Sequence, residues 1–104
     1  MIRNAFTMKL KPGNEAEYRR RHDEIWPELT AEISRAGIAN YSIFLDESTL
    51  TLFAYQELTE NNRSAELSSK EIMRRWWRAM SDLMESNADF SPVVHPLREV
   101  FHLD

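Results

Sequence analysis

Apolar residues in this chain recur at two different periods, and the order in which the periods follow one another restricts the fold more than composition does. Residues 2–11 alternate, with Ile2, Phe6, Met8 and Leu10 on one side and Arg3, Thr7, Lys9 and Lys11 on the other. Period two over that length predicts a half-buried strand. Asn4 interrupts the apolar side and reads as a core amide with a partner. Lys11-Pro12-Gly13-Asn14 ends the strand. Steps of three and four then take over, so that Tyr18, His22, Ile25, Leu29, Ile33 and Ala36 share one face of a helix. Asn14 and Glu17 are expected to cap its start, and Gly37 is a natural stop. Pro27 lies inside this segment. It removes the amide that would bond to the carbonyl of Asp23 and turns Trp26 away from helical angles, which predicts a kink or break.

Alternation returns over residues 39–46, where Tyr41, Ile43 and Leu45 oppose Asn40, Ser42, Phe44 and Asp46. Asp46-Glu47-Ser48-Thr49 has the length of a hairpin loop. Residues 50–58 form the return strand, with Leu50, Leu52, Ala54 and Leu58 on one side and Phe53 and Tyr55 on the other. Apolar residues on both sides predict helices over one face of the sheet and a second subunit over the other. From Thr59 the pattern is helical again. Ser68 with Glu71 reads as a capping box, followed by the stripe Ile72/Met73, Trp76, Met80, Leu83. Residues 85–96 form a loop, and Leu97–Leu103 are expected to be the last strand. The order β-α-β-β-α-β in one domain of 104 residues is the ferredoxin-like, α+β arrangement: a four-stranded antiparallel sheet with helices on one face, able to pair as a dimeric α/β barrel.

A net charge of −4 argues against a nucleic-acid partner. Arg19, Arg20 and Arg21 are interleaved with Glu15, Glu17, Asp23 and Glu24, the pattern of a solvated helix face. The chain has no cysteine, so it forms no disulfides and does no thiolate chemistry. No apolar run reaches the ~20 residues of a membrane span, and the first residues show no secretory signal, so the expected compartment is the cytoplasm.

With only Gly13 and Gly37 there is no phosphate-binding loop. His22, His95 and His102 lack zinc-site spacing, and no metal or cofactor is expected. What remains is His22, one turn from Tyr18 on the inward face. A lone histidine on a helix is more often structural than catalytic. Yet an imidazole titrating near neutrality, beside a phenol that can orient a hydroxyl, suits proton transfer in a pocket. Tyr41 reads first as a core aromatic whose hydroxyl reaches water. Trp76 and Trp77 lie about 100° apart around the helix, so both cannot occupy the centre of the buried stripe. Their functional reading is an indole wall stacked on the C–H face of a sugar ring. No acidic pair supports glycoside hydrolysis.

The chain resembles the L-rhamnose mutarotase family along nearly its whole length. The resemblance is carried by Met1-Ile2-Arg3 with Ala5-Phe6, by Tyr18-Arg19-Arg20-Arg21-His22 with Ile25-Trp26-Pro27-Glu28-Leu29, and by Asn40-Tyr41-Ser42-Ile43, Phe53-Ala54, Arg75-Trp76-Trp77 and Glu99-Val100-Phe101. Residues 59–70 and 85–91 follow the family less closely. The resemblance implies a cofactor-free homodimer that interconverts the α and β anomers of L-rhamnose. It implies His22 as the proton donor, with Tyr18, Tyr41, Trp76 and Trp77 binding the sugar. The competing expectations are a non-catalytic sugar-sensing module and another dimeric α/β-barrel enzyme, such as a cofactor-independent monooxygenase.

Overall fold

The computed structural model describes all residues, Met1–Asp104. Its elements run β1 (Ile2–Lys9), α1 (Glu15–Asp23), α2 (Pro27–Arg35), β2 (Ile38–Asp46), β3 (Thr51–Leu58), a 3-10 helix (Ser64–Ser69), α3 (Glu71–Met80) and β4 (His95–Leu97). The strands form one sheet in the order β2-β3-β1-β4, with every neighbour antiparallel. This is the α+β, ferredoxin-like arrangement that the two periods predict. No helix is long and apolar enough to cross a membrane.

The alternation is realised residue by residue. Met8 lies opposite Leu52, which lies opposite Leu45, and Phe6, Ala54 and Ile43 form the next row on the same face. Met8, Leu10, Leu52 and Ala54 are buried there against Met80, Leu83 and Met84 from the end of α3 and the turn beyond it. A smaller cluster of Ala36, Ile38, Leu58 and Leu67 fills the other end. Asn4 donates from Nδ2 to Oε1 of Gln56 at 3.0 Å, the partnered amide expected. The buried strand residues all lie on the helix-covered face. Phe44, Phe53 and Thr7 share a row on the opposite face, where Phe44 is 68% and Phe53 42% exposed.

Pro27 breaks the first helix outright. Trp26 adopts φ −66° and ψ 129°, and α2 starts afresh with Pro27 in its first turn. That follows from the clash between a proline ring and a helical preceding residue, and a proline fits best at a helix start.

Four local expectations are overturned. Asn14 does not cap α1; its Nδ2 donates to Lys11 O within the preceding turn. Ser68 does not cap α3 either. Its hydroxyl belongs to the 3-10 helix, bonding to Ala65 O, and the extended Lys70 precedes α3. The last strand is His95–Leu97, earlier and shorter than expected, because these residues rather than the tail pair with Ala5–Thr7 of β1. The tail beyond it carries Val100, Phe101 and Leu103 in the open, each at least 78% exposed. The return strand likewise starts at Thr51, since Leu50 takes a left-handed turn conformation, φ 62°.

Candidate functional site

Residues of α1, α2 and α3, of the strands, chiefly β2, and of the loop after α3 line one cleft of about 1150 Å³. That is larger than one sugar ring needs. Tyr18, His22, Tyr41, Trp76 and Trp77 all line the cleft, although they come from three elements far apart in the chain.

His22 is the best-placed group in it. Its Nδ1 lies 3.0 Å from the carbonyl oxygen of Tyr18, one turn earlier in α1. A carbonyl can only accept, so this contact assigns a proton to Nδ1 and leaves Nε2 as the free nitrogen. The ring lies 4.3 Å from that of Tyr18 and meets the Trp76 ring edge-on at 5.4 Å. Burial lowers the His22 pKa below the usual 6.5, partly offset by the bond to Tyr18 O and by the charge of Asp23. The neutral imidazole, with Nε2 bare, is therefore the resting form near neutral pH.

The two phenols stay protonated. Burial raises the pKa of Tyr18, and the neighbouring phenol of Tyr41 adds to the effect. Tyr41 has 40% of its surface exposed, but its hydroxyl end is crowded, and loss of water there pushes its pKa up to about 12. Strict alternation from Ile38 would turn Tyr41 to the other face. Ala39 pairs with Glu57 and Ser42 with Tyr55, so two residues oppose Gln56 and β2 carries a bulge. Asn40 is the extra residue. It takes a left-handed φ of 47° and donates from Nδ2 to Oε1 of Glu57 at 2.6 Å. The bulge thereby brings Tyr41 to the helix side together with Ile38, Ile43 and Leu45.

Trp76 and Trp77 are both partly buried, and both line the cleft. Trp76 is held from behind by Trp26, their rings edge-on at 5.1 Å. The break before Pro27 is what lets Trp26 reach it. Two cleft-lining residues, Glu15 and Phe90, were not among the expected set. The signal for Glu15 was available: it precedes Tyr18 by three and His22 by seven residues, on the same helix face. Phe90, from the loop after α3, was invisible to periodicity. Arg21 departs from the solvated-face reading, since it reaches across to α3 and bonds Ala79 O at 2.5 Å and Asp82 at 2.9 Å. No group of His, Cys, Asp or Glu side chains is arranged to hold a metal ion.

A cleft with aromatic walls, one neutral imidazole and protonated phenols is equipped to exchange protons with a small uncharged polyol. Comparison with known proteins points the same way. A profile of the L-rhamnose mutarotase family matches residues 3–103. The L-rhamnose mutarotase of Flavobacterium johnsoniae is 59% identical over 103 residues, covering 99% of this chain and 96% of that one. That of Bacteroides thetaiotaomicron is 52% identical over the full length of both. The crystal structure of L-rhamnose mutarotase from Formosa agariphila superposes with a TM-score of 0.94 at 44% identity, covering both chains completely. The chain belongs to the L-rhamnose mutarotase family.

Proposed function

We propose that this chain, as a single domain over residues 1–104, interconverts the α and β anomers of L-rhamnopyranose by acid/base-assisted ring opening and reclosure. The observation that carries this reading is His22, fixed through Nδ1 to Tyr18 O inside a cleft walled by Tyr18, Tyr41, Trp76 and Trp77.

The reaction breaks the C1–O5 bond, whose electron pair goes to O5, while O1 loses its proton and C1=O1 forms. The aldehyde turns about C1–C2, and the ring closes on the other face. Nothing is oxidised or reduced and no atom is gained, so the chemistry needs neither metal nor cofactor. It needs a proton taken from O1 and one delivered to O5. These oxygens share C1, so one nitrogen can serve both. Neutral His22 accepts the O1 proton at Nε2, and the imidazolium then donates it to O5. The raised phenol pKa values count against either tyrosine as the base and favour both as hydroxyl donors to the sugar. The indoles supply a flat apolar wall for the ring's C–H face. A positioned acid/base contributes ~10²–10⁴-fold.

Two copies are inferred to pair through the uncovered sheet face, where Phe44, Phe53 and Leu97 are exposed. The reaction suits the cytoplasm, where a free sugar is consumed. Neither the oxygenase nor the sensing alternative has an observation in its favour. Saturation-transfer NMR on L-rhamnose at anomeric equilibrium tests the reading. Faster exchange with the wild type, lost in His22→Ala, is expected; no acceleration with L-rhamnose overturns it.

A further inference from the structure

We propose that Glu15 is a specificity-determining residue of this site, its carboxylate accepting a hydrogen bond from a ring hydroxyl remote from the anomeric carbon. The inference rests on the mutarotase reading above and assigns the far end of the same sugar.

Glu15 is the first residue of α1 and shares its inward face with Tyr18 and His22. Its Oε1 is sealed from solvent without a hydrogen-bond partner, the one buried side-chain polar atom in the protein so placed, and the residue lines the cleft. A buried acceptor left unmet is costly, and natural structures rarely keep one without a use. A carboxylate oxygen only accepts, so what completes it must bring a donor. No cation of the protein supplies one: Arg19, which also lines the cleft, bonds to Asp23. Sugar hydroxyls are donors of the right kind, and a turn of the Glu15 side chain, which is itself only partly buried, presents the sealed oxygen to one.

Geometry separates this role from that of the catalytic base. Seven residues of helix put Glu15 and His22 about 10 Å apart along the axis, and side chains tilt towards the helix N-terminus. Both side chains tilt the same way, so the axial separation of about 10 Å is kept between their ends. O1 and O5, bound to one carbon, both fall to His22, and Glu15 meets a hydroxyl across the ring. Its end of the cleft lies where β1 turns into α1. There Leu10 bridges to Met84, and Met84, Phe90 and Pro92 are also in the lining. An acceptor with no partner in the protein discriminates sharply, since an analogue lacking the bonded hydroxyl leaves it unpaired.

The test measures Kd by tryptophan fluorescence and exchange by NMR, for wild type, Glu15→Ala and Glu15→Gln, with L-rhamnose and its 2-, 3- and 4-deoxy analogues. Glu15→Ala is expected to weaken L-rhamnose binding about tenfold or more, with kcat at saturating sugar holding within about threefold. One deoxy analogue should bind the wild type as weakly as L-rhamnose binds Glu15→Ala, and should lose nothing further in that variant. If Glu15→Ala does not fold, Glu15→Gln should lose the charge-assisted part, about threefold or more. Unchanged Kd in a folded variant, or strictly additive losses for all three analogues, overturns the proposal. So does a collapse of kcat at unchanged Kd, which would make Glu15 the proton acceptor. A wild type that binds L-rhamnose without accelerating its exchange removes the mutarotase reading and leaves Glu15 as a ligand; one that binds none removes both.

Discussion

The Nδ1 of His22 and the carbonyl oxygen of Tyr18 lie 3.0 Å apart within one helix, and this fixes which nitrogen of the imidazole is left free. A protonated Nδ1 leaves Nε2 as a base in the neutral ring and an acid only in the charged one. Because burial lowers the pKa below 6.5, the base form is the resting form at neutral pH.

The pH dependence of exchange follows. The kcat/KM for L-rhamnose is expected to be flat near neutrality and to fall as pH drops through a value below 6.5, about tenfold per unit beneath it. A catalyst that had to begin as imidazolium would show the opposite slope, rising on acidification. The same shift bears on stability. Between the folded and unfolded pKa values the unfolded chain binds more protons at this position. Its contribution is therefore complete above about 6.5 and is lost as pH falls from there through the folded value. Exchange rates measured from pH 5 to 8 distinguish the two slopes.

Arg21 predicts a stability effect that sequence patterning conceals. It joins Glu17 on its own helix to Ala79 O and Asp82 at the far end of α3, and so ties the helix carrying His22 to the one carrying Trp76. Arg21→Met keeps the aliphatic stem and removes these bonds. It is expected to cost about 1–2 kcal/mol in urea unfolding. Neighbouring Arg20, whose ion pairs with Glu17 and Glu24 are exposed, should tolerate the same change with no more than about 0.5 kcal/mol lost.

Asn40 predicts an effect on the sugar through the backbone. Its φ of 47° is open to Gly and to Asn but strained for a β-branched residue. Asn40→Val should cost about 1–3 kcal/mol or expel the bulge, and should raise KM by displacing Tyr41. Asn40→Gly should keep KM near the wild-type value. If Asn40→Val leaves both stability and KM unchanged, the bulge does not position Tyr41.

The periods of the chain made the fold legible, because a sheet with one covered face forces alternation and an amphipathic helix forces steps of three and four. Pro27 was legible for the same reason: its ring acts on Trp26 whatever surrounds it. The caps were not. The side chains of Asn14 and Ser68 had competing carbonyls at Lys11 and Ala65 within three residues, and those local bonds won. The last strand was misplaced because an apolar tail, Val100 to Leu103, alternates as a strand does, whereas the segment that pairs with β1 is His95–Leu97. At the site, Tyr18 and His22 could be paired by spacing alone, being one turn apart. Alternation set Tyr41 beside Ile43 and Leu45, but it did not announce the bulge at Asn40 that lets Ile38 share their face. Trp26 behind Trp76 is a contact between distant segments with no local signature, and Glu15 resembled any charge in a first helical turn.

The uncovered sheet face carries the last prediction. Phe53 lies on β3 between Phe44 and Thr7, and Leu97 faces Ala5 in the adjoining row. Fully burying a side chain such as Phe or Leu is worth ~1.5–3 kcal/mol, so leaving this row in water is costly for a single copy. Two copies stacked through it would cover Phe44, Phe53 and Leu97 at once and give Phe101 and Leu103 of each tail a surface to join. The wild type is expected to sediment at about twice the 12.3 kDa of one chain. Phe53→Glu places a charge at the centre of that contact, and an unpaired charge buried there costs more than the association returns. The variant should sediment as a monomer at micromolar concentration. Glu28→Lys, on the exposed side of α2 across the sheet, should leave the mass unchanged. A wild type that is monomeric at that concentration, or a Phe53→Glu variant still paired, would show that the two copies do not meet through this face.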